Sequence, residues 1–120
     1  VDRGLWSEEI ELEWYQLNWI FHRSISIAAR NPVLRTAMRM TILSPVLGDV
    51  IHSSPVVAAH IPQRLRQIPP TTPDHILRSQ SEHEAILAAI KADDASSAER
   101  LMTAHVLATK ARVHALATLR

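Results

Sequence analysis

The sequence predicts an all-α protein: an antiparallel bundle of about five to seven helices, forming a single domain over residues 1–120. Three observations carry that prediction. Apolar residues recur at steps of three and four along three long stretches, the period of a helix that buries one face. The chain has two glycines and is rich in Ala, Leu, Ile and Arg, so little in it resists helix formation. Its seven prolines fall mostly between the periodic stretches, where they act as punctuation.

The first stretch runs from Ser7 to Ala29, with Ile10, Trp14, Leu17, Phe21, Ile25 and Ala28 on one stripe. Glu8, Glu9 and Glu11 fall near its start, where the helix dipole favours negative charge. Asn18 and His22 are four apart, so they share a face, and the face expected for them is the apolar one. Leu12, Trp19, Ile20 and Ile27 make a second stripe roughly opposite, which another helix or another subunit should cover.

Asn31 then suits an N-cap and Pro32 the first position of a second helix, which should run to about Leu43. Ser44-Pro45, Ser54-Pro55, Ile61-Pro62 and Pro69-Pro70 cut the following segment at short intervals. Two or three short helices are expected there, with 46–51 and 62–68 the best candidates.

The pattern resumes from Pro73 to Lys91, where Ile76, Ile86, Leu87 and Ile90 share a stripe with Ser79 and His83. Ala92, Asp93 and Asp94 interrupt it, and Asp94 suits the N-cap of a last helix running from Ala95 towards Leu119. On that helix His105 shares its stripe with Ala98, Leu101, Met102 and Ala108. A hairpin centred near Asp93 brings His83 and His105 to heights that differ by roughly 3 Å, at about 1.5 Å of rise per residue. The two imidazoles are expected to meet.

Composition removes several classes of function. With no cysteine, the chain has no disulfide, thiolate ligand or cysteine nucleophile, which leaves imidazole and oxygen donors. A net charge of +1 with scattered basic residues argues against a duplex DNA surface on this chain itself. No apolar run reaches the roughly 18 residues of a membrane span, and no secretory signal pattern opens the chain, so a cytoplasmic location is expected.

His22, His83 and His105 thus sit on apolar stripes of three different helices, with Asn18 one turn from the first. A bundle allows them to converge. Imidazole binds zinc and similar divalent ions, zinc foremost here, with nickel, manganese or iron admitted by the same donors. An amide oxygen supplies a fourth bond, and the positions left open admit water or a carboxylate. A lone inward histidine is more often a hydrogen-bonded core residue, but three at compatible heights call for a common partner. His52, His60, His75 and His114 lack this context and are assigned to loops or the surface. The tryptophans are assigned to packing, and Arg64 and Arg66 to a solvated face.

Two segments also resemble a known family. Asn18-Trp-Ile-Phe-His22, continuing through Arg-Ser-Ile-Ser-Ile-Ala-Ala-Arg-Asn-Pro-Val to Leu34, is similar to the metal-ligand helix of FCD domains and the turn after it. Glu82-His83-Glu-Ala-Ile-Leu-Ala-Ala-Ile90, then Asp94, Ala98, Leu101-Met102 and His105, resembles the second half of those domains. These are the effector-binding C-terminal domains of a branch of the GntR family of bacterial transcription regulators. The resemblance implies that Asn18, His22, His83 and His105 occupy the four metal-ligand positions, with a small organic acid completing the coordination. It also implies a homodimer, and DNA binding through a separate N-terminal winged helix-turn-helix domain that lies outside this chain. Position 18 is asparagine where metal-binding members often have aspartate, and the stretch from 44 to 72 is not covered. The chain begins where the family has already completed its first helix or helices, so a fragment is expected.

The function these readings favour is a ligand-sensing regulatory domain, not an enzyme. Arg39 and Arg112 are candidates to pair with the effector's anionic end. A small metal-dependent hydrolase is the weaker alternative, because Glu82 and Glu84 flank His83 and should point away from its stripe, leaving no general base. A metal-free bundle that binds an apolar or acyl ligand is the other alternative. Asn18 and the histidines would then form a buried polar network.

Overall fold

The computed structural model of the chain describes residues 4–40 and 68–117. Within them it is all-α, with four helices: α1 Glu8–Ala28, α2 Pro32–Met40, α3 Asp74–Lys91 and α4 Ala95–Ala117. The expected short helices between 44 and 68, and with them His52, His60, Arg64 and Arg66, lie outside the described residues.

The helix ends follow from local chemistry. Ser7 caps α1, its Oγ accepting from the Ile10 N–H at 3.3 Å, and Asn31 caps α2, its Oδ1 accepting from the Leu34 N–H at 3.0 Å. Asp94 caps α4 in the same way, accepting from the Ser97 N–H at 3.0 Å. The Ser97 hydroxyl, and then this N–H, hold the Asp94 carboxyl below the usual aspartate range. Between α3 and α4 the chain turns in a Schellman motif. The Asp94 N–H donates to Ala89 O at 2.9 Å and the Asp93 N–H to Ile90 O at 3.0 Å, with Asp93 at a left-handed φ of 57°. Three residues thus reverse the chain, and α3 packs against α4.

The N-terminal segment docks where α3 begins. Leu5 and Thr71 form an antiparallel bridge, flanked by the Trp6 N–H donating to Pro70 O at 3.1 Å and the Thr72 N–H to Gly4 O at 3.3 Å. Pro69, Pro70 and Pro73 favour extended backbone around Thr71, which leaves its neighbours free to pair. The pairing carries Trp6 onto Tyr15 of α1 and Ile76 of α3, with Trp14 against them. This cluster joins the N-terminal segment, α1 and α3.

Two stripes differ from the sequence reading. On α1 the buried residues are Tyr15, Asn18, His22 and Ser26, while Ile10 and Leu17 are exposed and Trp14, Phe21 and Ile25 half-buried. The helix therefore turns a polar line inward, with apolar residues on its shoulders, because it packs against two histidine-bearing helices and not against an apolar wall. On α3, Ile76, His83, Ile86 and Ala89 are buried, whereas Leu87 and Ile90 are exposed. The hairpin with α4 sets that face. The second stripe of α1, Leu12, Trp19, Ile20 and Ile27, is exposed. No helix of the described residues is long and apolar enough to cross a membrane.

Candidate metal centre

Each histidine is delivered by a different helix. His22 lies one turn after Asn18 on the inward line of α1, His83 in the middle of α3, and His105 in the middle of α4. All three are buried, at 3%, 6% and 3% exposure, and Asn18 at 8%. The hairpin does what its geometry demands: His83 Nε2 lies 3.2 Å from His105 Nε2. His105 Nε2 lies 3.3 Å from His22 Nε2, and one ligand nitrogen from each ring lies within 4.8 Å of the other two. Imidazole nitrogens bound about 2.0–2.1 Å from one tetrahedral zinc ion stand about 3.3–3.4 Å apart. The two distances from His105 match that spacing.

The protonation states suit the same chemistry. Burial, reinforced by His83 and His105, holds the His22 pKa down to about 3. Burial and then His105 hold His83 down to about 4. Both rings are neutral at pH 7, which is the form that offers a lone pair to a cation.

Aromatic and carboxylate neighbours fix the rings. Phe21 stacks on His83 with centroids 4.3 Å apart, and Trp14 lies parallel to His83 at 6.1 Å. His22 and His105 stack at 5.2 Å and 12°. Glu82, the residue before His83, reaches across the hairpin to His105, its Oε2 2.6 Å from Nδ1. The sequence reading sent Glu82 away from the site. It does point away from His83, but about 100° round the helix it meets α4 instead.

Two recesses flank the triad. An open one of about 280 Å³, mostly apolar, is lined by Trp14, Leu17, Phe21 and Leu87, with His83 and Asn18 at its wall. A small polar one of about 20 Å³, enough for roughly one water molecule, lies between Asn18, His105, His75, Ser79, Thr109 and Arg112. Arg112 is half-buried there. Burial raises the Tyr15 hydroxyl above the usual phenol value, and the neighbouring Arg112 guanidinium works against that shift. The side chain of Arg39 lies outside the described residues.

His75, assigned above to loops or the surface, is instead half-buried, with Nε2 enclosed and without a hydrogen-bond partner among the described residues. Burial, and then the positive charges of Arg112 and Arg78, hold its pKa down to about 4. Tyr15 was not singled out by the sequence at all. Its one signal is position, three residues before Asn18 on the inward line.

An all-α fold whose helices converge on a buried histidine triad defines a helical domain organised around a polar ligand centre. The family model of the FCD domain matches residues 3–108, and the chain belongs to that family. FCD domains are regulatory, effector-binding domains. No curated protein and no solved structure matches the chain.

Proposed function

We propose that this chain is the ligand-sensing domain of a GntR-type transcription regulator, in which Asn18, His22, His83 and His105 hold a divalent metal ion, zinc foremost. The observation that carries the reading is the convergence of three buried imidazoles, with His105 Nε2 at 3.2 and 3.3 Å from the Nε2 atoms of the other two. The bound ion supplies a Lewis-acidic anchor for a carboxylate. A small organic acid is the effector, and Arg112, on the wall of the water-sized polar recess beside Asn18 and His105, is the candidate partner of its terminal anionic group alone. The exposed stripe of α1 is covered by a second copy in a homodimer, and a winged helix-turn-helix domain outside this chain binds DNA in the cytoplasm. The domain modulates binding and performs no catalysis.

The test is elemental analysis of protein purified without chelator or a nickel column, beside a His83→Ala/His105→Ala double variant. Near-stoichiometric metal in the first and none in the second supports the reading, and thermal-shift screening should then find small carboxylates that stabilise only the metal-loaded protein. A wild type free of metal and unable to take up zinc, nickel or manganese defeats it. The apolar recess between α1 and α3 favours one alternative in that case, a metal-free domain with an apolar or acyl effector.

A further inference from the structure

We propose that Glu82 is the positioning residue of the histidine triad: its carboxylate holds His105 in the Nδ1-protonated tautomer and so turns the Nε2 lone pair towards the centre. The inference deepens the metal reading and rests on it for the ligand, while the tautomer stands on geometry alone. A carboxylate oxygen 2.6 Å from Nδ1 is an acceptor, so the ring proton of a neutral His105 belongs on Nδ1. Nε2 then carries the lone pair, and it is this atom that lies 3.2 and 3.3 Å from the other two Nε2 atoms.

The three histidines are held in different ways. Stacking by Phe21 and Trp14 orients His83, but leaves either of its nitrogens free to carry the proton. At His105 a hydrogen bond removes that freedom. Without Glu82, His105 is able to place its proton on Nε2, and a ring in that state presents N–H where a cation needs a lone pair. The proposed donors, one amide and three imidazoles, also bring no negative charge to a dication. Glu82 supplies one through the His105 ring, with its side chain 31% exposed and its partner's 3%. A carboxylate behind a ligating imidazole raises the basicity of the ligating nitrogen, and its loss costs about 10–100-fold in metal affinity.

The experiment compares the full chain with Glu82→Gln and Glu82→Ala, using circular dichroism to verify helicity. Imidazole ¹⁵N shifts of the metal-stripped proteins at pH 7 report the tautomer of His105, and competition with a chromophoric chelator reports zinc affinity. The wild type should show the ring proton of His105 on Nδ1. Glu82→Ala should move the proton at least partly to Nε2 and weaken zinc binding towards 100-fold. Glu82→Gln, whose amide oxygen still accepts from Nδ1–H, should keep the tautomer and lose about tenfold.

An unchanged His105 tautomer in Glu82→Ala overturns the proposal, as does a wild-type His105 that carries its proton on Nε2 with Nδ1 bare. Zinc affinity in Glu82→Ala within twofold of a zinc-binding wild type overturns it too. A wild type that binds no zinc defeats the metal reading instead, and the tautomer arm alone then decides the role of Glu82. If the alanine variant does not fold, Glu82→Gln decides, and zinc affinity within twofold of wild type overturns the proposal.

Discussion

Acidification should destabilise the metal-free protein well before its carboxylates protonate, and His22 and His83 set most of the effect. Their folded pKa values lie near 3 and 4, below the ordinary 6.5. The stability that comes from keeping them neutral is therefore present in full above pH 6.5 and is lost as the pH falls towards the folded values. Between pH 7 and pH 5 an unfolded histidine takes up nearly a whole proton while the folded one takes up almost none. Integrated over that window, each ring costs about 1.8 kcal/mol, so the pair costs about 3–4 kcal/mol. That is a large part of the roughly 5–15 kcal/mol by which domains are stable. Urea denaturation of chelator-treated protein at pH 7, 6 and 5 measures it, with His22→Gln as the internal comparison. His75, with a folded pKa near 4, adds a like amount, so the variant should keep about two-thirds of the pH dependence. Parallel curves for the two proteins, or a wild-type stability that is flat between pH 7 and pH 5, would refute the reasoning.

Other perturbations separate the parts of the structure. Ile86 is 1% exposed at the α3–α4 interface, so Ile86→Ala should destabilise the protein by about 2–4 kcal/mol in urea without altering zinc stoichiometry. Arg30 holds a left-handed φ of 51° after α1, a conformation that strains an L-residue. Arg30→Gly should therefore raise stability by about 0.5–1 kcal/mol, and a lowered melting temperature would contradict this. Arg112→Met should abolish the extra thermal shift given by carboxylates while zinc affinity stays within a few-fold. A shift that survives would move the effector away from the polar recess.

Much of the fold was legible because short-range chemistry specifies it. Asn31 and Asp94 are capping residues by type, and both cap the helices expected of them. The hairpin followed from those signals, and the height match of His83 and His105 followed from helical rise. What escaped depended on contacts between distant segments. The Leu5–Thr71 bridge joins residues 66 positions apart and leaves no periodic trace. On α1 the inward placing of Asn18 and His22 was legible, but hydrophobicity alone also favoured Ile10 and Leu17, which the structure leaves exposed because the helix meets imidazoles. Glu82 was misjudged because its own helix was considered in isolation, and its partner His105 belongs to the next one. His75 looked like a flank residue for the same reason, although the charge of Arg112 on α4 reaches it.

The measurement that most directly tests the central claim is a zinc titration of single variants at pH 7: His22→Ala, His83→Ala and His105→Ala beside His75→Ala and His114→Ala. The triad supplies three of the four proposed donors, so each of the first three should lose at least about 100-fold in affinity, a loss of roughly 2.7 kcal/mol or more. The two controls should bind as the wild type does. Triad variants that retain wild-type affinity, or controls that lose as much as they do, would contradict the assignment of a metal centre to His22, His83 and His105.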